Sequence, residues 1–417
     1  MTLYDSITII ITLAVFVSYV NYRFLKMQPA IAIMATSLII SIVLVVSDKL
    51  GFHVIHHDVT RFVDQLHFHD LLMNCMLGLL LFAGSLTVDF RRLKKQKWEI
   101  CALATISVIA STFLIGAGTY YLLKIFGVHA GLIYCFLFGS LISPTDPIAV
   151  LATFKQSKVS AKLEMLVTAE SLFNDGIGVV LFVVLYHVAF SGEPIFFMSV
   201  TTLFLQKTFG GIAFGLLLGF LARWLMGAVD DHKIEILITI ALVTGGYTLA
   251  QSIGVSGPLA MVTVGIFIAN NKDKIFKSKS TQEYLEGFWE LIDELLNAIL
   301  FLLIGFEILL VQFAYWQLIV SILIILLVLF SRLITVAIPI RFAKYWRKYP
   351  HRTIEILTWG GLRGGLAVAL ALSLPSGPIS GIFLPITYVV VIFSILVQGS
   401  TVKFLVKKEG VFSSFTS

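Results

Sequence analysis

An apolar run of this chain, residues 131–154, is interrupted at its centre by Ser143-Pro144-Thr145-Asp146-Pro147. Proline has no backbone N–H and its ring clashes with the preceding turn, so two prolines three residues apart must break a helix. Inside a membrane, such a break is tolerated only where protein buries it or where it lines a watery cavity. Its freed carbonyls and half-helix ends can then face an ion. The stretch predicts a broken membrane helix in which Asp146 caps the second half, shapes an ion site, or does both.

The composition of the whole chain agrees with a membrane environment. Of its 417 residues, 58% are hydrophobic and 13% are charged, whereas soluble domains carry about 25% charged residues. The net charge of +6 comes from Lys and Arg residues in short loops between apolar runs. That distribution is a topology signal, and it argues against a nucleic-acid partner.

Thirteen apolar segments approach the length of roughly 20 residues that a spanning helix needs. They cover residues 4–22, 29–47, 70–88, 99–123, 131–154, 163–190, 196–222, 234–253, 256–270, 282–311, 315–340, 353–373 and 381–402. We therefore predict an all-α polytopic membrane protein with about thirteen transmembrane helices, forming one membrane domain with a short cytoplasmic tail at 405–417.

The loops between these segments alternate in charge. Basic residues are concentrated in the loops after odd-numbered helices, whereas the loops after even-numbered helices hold only Lys49, Arg61 and Lys124. By the positive-inside rule, this pattern predicts a multi-pass protein of the cell (inner) membrane with its N-terminus outside and its C-terminus in the cytoplasm.

Five charged residues lie deep within the apolar segments, where each costs about 2.5–3.5 kcal/mol on insertion scales. They are Asp146, Glu170, Asp175, Arg332 and Arg363. A charge at such a depth must be paired or used in function. Arg332 needs a partner, and Glu170 is the obvious buried carboxylate.

The sixth segment carries the densest polar stretch, Glu170-Ser171-Leu172-Phe173-Asn174-Asp175-Gly176. One helix face presents Ser171, Asn174 and Asp175, with Glu170 about one turn from Asn174. Oxygen ligands of this kind suit a hard cation. Because burial disfavours a charged carboxylate, Asp175 could exchange a proton for a metal ion. The alternative is a cluster of hydrogen bonds that only packs helices together.

The twelfth segment contains Trp359-Gly360-Gly361-Leu362-Arg363-Gly364-Gly365. Its four glycines are poor helix formers and allow an interruption or a close backbone approach. Interrupted helices 5 and 12 hold corresponding places if helix 7, at about 196–222, links two inverted six-helix repeats at about 1–190 and 234–404. That arrangement favours a secondary transporter over a receptor or a membrane enzyme.

Four stretches together carry a more specific signal. They are Leu80-Leu81-Phe82-Ala83-Gly84, the segment 143–147, the segment 170–176 and the segment 359–365. In this order on a thirteen-helix frame they resemble the sodium/proton antiporters of the NhaP/NHE type, within the monovalent cation–proton antiporter superfamily. The resemblance covers essentially the whole chain.

The resemblance implies a homodimer built from dimerisation domains and six-helix core domains, in which the core moves like an elevator and the broken helices cross at the ion site. It implies that Asp175 binds the cation, Na⁺, or the proton, and that Thr145 and Ser171 supply further oxygens. Asn174 takes the place of a second aspartate found in electrogenic relatives and stabilises the crossing helices.

The resemblance also implies a buried Glu–Arg bridge, formed by Glu170 with an arginine. Position favours Arg332, and Arg363 is the other candidate. The chain departs from the family in one place, because some members have a glutamate where this sequence has Ala83. A carboxylate on the third helix therefore cannot contribute.

The implied function is exchange of Na⁺ (or Li⁺) for H⁺, with one titratable group in the Asn-Asp pair predicting electroneutral 1:1 exchange. We expect no cofactor and no structural metal, only the transported Na⁺ and H⁺. No motif of a membrane enzyme is present in the sequence. Two alternatives stay open, a K⁺/H⁺ exchanger and an uncoupled cation channel.

Overall fold

The computed structural model describes residues 3–50, 68–156, 159–191, 197–345, 349 and 352–413. Within them the regular structure is helical, apart from one isolated antiparallel bridge between Asp146 and Leu362. Nine helices in this part are long and apolar enough to cross a membrane, and two more apolar helices are shorter. The all-α polytopic architecture is confirmed, whereas the number of thirteen crossings stays a prediction.

The helices are numbered along the chain, and the two interrupted ones are divided into halves a and b. Those of the first part are α1 Leu3–Val20, α2 Pro29–Lys49, α3 Phe68–Leu86, α4 Lys97–Ile125, α5a Leu132–Ile142, α5b Ile148–Gln156, α6 Ala161–Phe190 and α7 Phe197–Gly227.

The second part continues in the same way. Its helices are α8 His232–Ser252, α9 Gly257–Asn270, α10 Lys279–Glu307, α11 Tyr315–Lys344, α12a Thr353–Trp359, α12b Gly365–Leu372 and α13 Pro378–Phe393. A π-helical turn, Ser394–Gln398, extends α13 into a last helix, Gly399–Ser413. The predicted tail is therefore helical as far as Ser413, and residues 414–417 lie outside the described residues.

Small polar residues fix where several helices begin. The side chains of Ser160, Asp231 and Ser256 accept backbone N–H bonds at the starts of α6, α8 and α9. Such caps satisfy N–H groups that have no partner within the helix. Proline, which has no N–H to satisfy, occupies the first position of α2 at Pro29.

The helices pack into two groups. The first contains α4, α5, α6, α11, α12 and α13, with α4 packed against both α5a and α11. The second contains α1, α2, α3 and α7 to α10, with α9 packed between α3 and α7. Both interrupted helices belong to the first group, so the two breaks are surrounded by protein.

Helices α4 and α5a approach each other closely at Gly139. A Cβ atom added to Gly139 would lie 2.2 Å from the carbonyl oxygen of Thr112. Because no side chain separates the helices here, the Thr112 hydroxyl reaches Ser143 Oγ at 3.0 Å, where α5a ends. The tight contact thus fixes the first half of the broken helix.

We expect Gly139→Ala to destabilise the protein by about 1–3 kcal/mol, because a methyl group would press on the α4 backbone. The matched control is Gly245→Ala on the exposed face of α8, where an added Cβ meets nothing within 4 Å. That change should be neutral or stabilising by up to about 1 kcal/mol. Melting temperatures of both variants in detergent give the comparison, and equal melting temperatures would contradict the expected close contact.

Candidate ion site

The two interrupted helices break at the same place and touch there. Helix α5a ends at Ile142 and α5b begins at Ile148, whereas α12a ends at Trp359 and α12b begins at Gly365. Between the halves, the Asp146 N–H donates to the Leu362 carbonyl at 2.8 Å. The extended segments therefore cross and hydrogen-bond to each other.

Arg363 satisfies the carbonyl end of α5a. Its Nη1 donates to the carbonyl oxygens of Ser143 at 2.9 Å and Pro144 at 3.0 Å. This places a positive charge at the negative end of a half-helix dipole. The side chain is only 1% exposed, and its Nε and Nη2 have no hydrogen-bond partner among the described residues.

The Asp146 carboxylate lies at the amino ends of both α5b and α12b. Its Oδ1 accepts from the Ile148 N–H at 2.9 Å and so caps α5b. A Cβ atom at Gly364 would lie 2.2 Å from Asp146 Oδ2, so the glycine allows the carboxylate to lie against the start of α12b. Two partially positive helix ends therefore face one carboxylate.

Helix α6 holds the break of α5 through Asn174 and Ser171. The Asn174 amide accepts from the Thr145 N–H at 3.2 Å and donates to the Thr145 hydroxyl at 2.7 Å and to Glu170 Oε1 at 3.3 Å. The Ser171 hydroxyl donates to the Thr145 carbonyl. All four side chains are buried, so every polar group of Thr145 has a partner from α6.

Glu170 forms a buried ion pair with Arg332. The Arg332 Nη2 atom lies 2.7 Å from Glu170 Oε1 and 2.9 Å from Oε2, and both side chains are at most 5% exposed. Arg332 Nε also donates to the Leu357 carbonyl of α12a at 3.3 Å. Of the two arginines considered for Glu170, Arg332 makes the pair and Arg363 serves carbonyl groups instead.

The remaining helix-breaking residues lie around this network. Gly360 follows the last residue of α12a, and a Cβ atom at Gly361 would lie 2.6 Å from Arg332 Nε. Pro147 directly precedes α5b. These positions bring the backbone of both breaks against the charged side chains.

A small cavity of about 10 Å³ lies at the crossing. This volume is close to the minimum of about 10–15 Å³ that holds one water. Oxygen-bearing residues on its wall include Thr145, Asp146, Glu170 and Ser171. Oxygen atoms of α5 and α6 therefore surround a space that is large enough for about one water molecule or one small ion.

Asp175 is not on the wall of that cavity. It is partly exposed, and the charges of Asp146 and Glu170 act on its carboxylate. Its neighbour Gly176 faces Leu259 of α9, since a Cβ atom there would lie 2.5 Å from that side chain. Asp175 thus lies beside the network, close to where the two packing groups meet.

Two residues of the π-helical turn that extends α13 were not predicted from the sequence, and they complete the crossing. Ser394 Oγ accepts from the Arg363 N–H at 2.8 Å, and Gln398 Nε2 donates to the Trp359 carbonyl at the end of α12a at 2.9 Å. Two polar residues at i and i+4 in an apolar segment were the available signal. They bound a π-helical turn, a feature frequent at functional sites.

Sequence comparison agrees with the motifs. The family model described as "Sodium/hydrogen exchanger, transmembrane" matches residues 10–408. The chain is 42% identical over 408 residues to the Na(+)/H(+) antiporter NhaP of Pseudomonas aeruginosa, which covers 97% of this chain and 96% of that protein. It is 33% identical over 419 residues to the Na(+)/H(+) antiporter NhaH of Halobacillus dabanensis, covering 97% and 98%.

The fold also matches a solved structure, that of the sodium proton antiporter MjNhaP1 from Methanocaldococcus jannaschii at pH 8. The TM-score is 0.77 at 19% identity, over 98% of this chain and 100% of that one. The matched family consists of membrane transporters and not enzymes, and the chain is a multi-pass membrane protein. The motifs, the sequence match and the fold agree: this chain belongs to the sodium/hydrogen exchanger family, as its NhaP/NHE-type motifs predicted.

Proposed function

We propose that this chain is a secondary active antiporter that exchanges Na⁺ or Li⁺ for H⁺ across the cytoplasmic membrane. The similar proteins that match it from end to end are named as Na(+)/H(+) antiporters. The observation that carries the proposal is the set of five charged side chains gathered at the crossed helices.

The charges at the crossing do not balance. Three carboxylates, those of Asp146, Glu170 and Asp175, face two guanidinium groups, those of Arg332 and Arg363. One negative charge is left over, and a carboxylate that is only partly exposed within a membrane protein is unfavourable without a counter-charge. One monovalent cation or one proton neutralises it, which supports electroneutral 1:1 exchange.

Asp175 is the carboxylate that we propose to carry the exchanged ion. The Asp146 carboxylate caps α5b, and the Glu170 carboxylate is paired with Arg332. Among the described residues, Asp175 has no hydrogen-bond or ion-pair partner that protonation would remove. We propose that Asp175 takes the proton or the cation in turn and that Asp146, Thr145 and Ser171 supply the nearby oxygens.

Asn174, Glu170 and the two arginines have a structural role in this proposal. They connect α5, α6, α11 and α12 through short contacts between fully buried atoms. Neither a cofactor nor a structural metal is part of the proposed exchange, and Na⁺ (or Li⁺) and H⁺ are its substrates.

We propose an elevator movement in which the first packing group is the core domain and the second is the dimerisation domain of a homodimer. Most side-chain hydrogen bonds of the described residues lie within one group, and Gln28 to Thr153 and His69 to Ala369 are bonds that cross. At the boundary, leucines lie on glycines, as Leu259 does on Gly176. Sliding along such a boundary would break few polar contacts.

The same grouping supports two inverted repeats, at about 1–190 and 234–404, linked by the helix at about 196–222. The core group contains α4, α5 and α6 from the first repeat and α11, α12 and α13 from the second. These are corresponding triplets, and each contributes one broken helix. The N-terminus is proposed to lie outside and the C-terminus in the cytoplasm.

We expect Asp175→Asn to reduce cation-dependent proton movement to the level of vesicles without the protein, because an amide cannot alternate between a proton and a cation. The control is Asp230→Asn, which removes an exposed carboxylate between α7 and α8 and should keep the native rate. Everted vesicles with a proton-sensitive dye report both, with Na⁺, Li⁺ and K⁺ added in turn. Native exchange in Asp175→Asn would disprove the assigned role.

The charge balance also predicts that membrane potential has little effect on the exchange rate. Purified protein in liposomes is tested with and without a potassium gradient and valinomycin, with internal pH as the readout. A native electrogenic sodium/proton antiporter run in parallel provides the voltage-dependent control. A strong dependence of this protein on the potential would contradict 1:1 exchange.

The ion pair between Glu170 and Arg332 should behave as a structural unit. Arg332→Gln leaves a buried carboxylate unpaired, so we expect a loss of about 3–5 kcal/mol of stability. The double variant Glu170→Gln/Arg332→Gln removes both charges of the pair and leaves the net charge of the site unchanged, so it should recover stability and exchange. Melting temperature and vesicle exchange check this. A stable double variant without exchange would instead make Glu170 a participant in ion binding.

A further inference from the structure

A second cavity lies away from the crossed helices, where the connection between α3 and α4 meets the start of α6. Its volume is about 470 Å³, within the range of about 300–1,000 Å³ of small-molecule sites. The wall is formed by Arg92, Lys95, Gln96, Ala161 and Lys162. We call it the basic pocket. Arg92 and Lys95 belong to a short connecting helix, Phe90–Lys95.

Three cationic side chains, those of Arg92, Lys95 and Lys162, are on the wall of the basic pocket. Arg92 Nε lies 3.5 Å from Asp89 Oδ2 in an exposed pair that offsets part of its charge. Lys162 Nζ lies 3.6 Å from the centroid of the Tyr349 ring, and the Tyr349 hydroxyl donates to Glu99 at 2.9 Å. The aromatic ring holds the ammonium group at the pocket through a cation–π contact.

The floor of the pocket adds both hydrogen-bond donors and a hydrogen-bond acceptor. It lies at the amino end of α6, where Ser160 accepts the N–H groups of Leu163 and Glu164 and the dipole of the helix favours an anion. Gln96 is only 4% exposed, and its Nε2 donates to the Lys162 carbonyl at 3.3 Å. Its Oε1 has no hydrogen-bond partner among the described residues. A buried acceptor of this kind calls for a donor, such as a hydroxyl group.

We propose that the basic pocket binds a glycerophosphate group, with the phosphate on the cations and the α6 amino end and a glycerol hydroxyl on Gln96 Oε1. The pocket lies between the end of α3 and the starts of α4 and α6, three helices that are long and apolar enough to cross a membrane. The group could come from an anionic phospholipid or from free glycerol phosphate. This site is separate from the ion exchange proposed above and shares no residue with it.

Occupancy would connect parts of the protein that belong to different packing groups. Helix α3 lies in the second group, whereas α6, which carries the Glu170–Asp175 stretch, lies in the first. A phosphate held by Arg92, Lys95 and Lys162 would join the connection after α3 to the first turn of α6.

The test compares two charge-matched double variants of the full-length protein in a neutral detergent. Arg92→Gln/Lys95→Gln removes two cations of the pocket wall, whereas Arg91→Gln/Lys94→Gln removes two exposed cations of the same short helix that are not on the wall. The probes are dioleoylphosphatidylglycerol and sn-glycerol 3-phosphate. Native mass spectrometry and the shift in melting temperature measure binding.

We expect the wall variant to bind about tenfold or more weakly, since each basic residue near a charged headgroup contributes about fivefold. The control variant should change binding by less than about threefold. Binding of the lipid alone would identify a headgroup held in the bilayer, and binding of both probes would identify a soluble phosphate as a second ligand.

Equal weakening in the two variants, or no binding of either probe, would overturn the proposal, because ordinary loop charge would then explain the pocket. Antiport of Na⁺ in vesicles verifies that both variants fold. Lys95→Gln alone, which changes one exposed side chain, gives a second measurement should the double variant be unstable, with about fivefold weaker binding expected.

Discussion

Every backbone polar group that a broken helix frees inside a membrane must find a partner, and the other features of this structure depend on that requirement. Arg363 serves the carbonyl end of α5a, Asp146 caps α5b, and Gln398 donates to the end of α12a. Helix breaks without such partners would cost several kcal/mol for each exposed group, about 2–7 kcal/mol by transfer measurements. Buried charge is therefore placed first where the backbone needs it. Asp175 is the charged residue of the site that neither bonds to the freed backbone nor forms an ion pair among the described residues.

The contacts that stabilise the break also orient its oxygens. Thr145 is the clearest case, because its N–H, hydroxyl and carbonyl all contact side chains of α6. A carbonyl oxygen has two lone pairs, so one bond from Ser171 leaves a second lone pair directed elsewhere. Helices α5 and α12 supply backbone groups because they are broken, whereas α6 supplies side chains and stays continuous over 30 residues. Stability and ligand geometry thus come from one set of hydrogen bonds.

The sequence predicts those features of the site that local chemistry decides. Pro144 and Pro147 break a helix wherever they occur, and a buried Glu170 must find a cation, so the pair with Arg332 could be favoured across 162 positions. The position of Arg363 could not be resolved, because its acceptors are carbonyl groups, which every residue carries. The position of Asp175 beside the cavity was equally hidden, since one residue turns a helix by about 100° and the neighbouring helices decide what that face meets. Segment length likewise does not decide whether α9 crosses the membrane, because this helix has only 14 residues.

In the proposed exchange, the small volume of the cavity and the charge of the site each prevent a cation and a proton from binding at the same time. The cavity of about 10 Å³ at the crossing has no room for a hydrated ion, so a cation shared between Asp175 and the oxygens of α5 and α6 must give up water. Those oxygens are held by Asn174, Ser171 and the half-helix ends, so they cannot follow a larger ion outward without breaking the bonds that satisfy the backbone. The surplus of one negative charge then sets the occupancy, since a proton on Asp175 removes the attraction that compensates a dehydrated cation. Competition between cation and proton therefore needs no moving gate at the site, only the fixed charges and the limited space that the crossed helices impose.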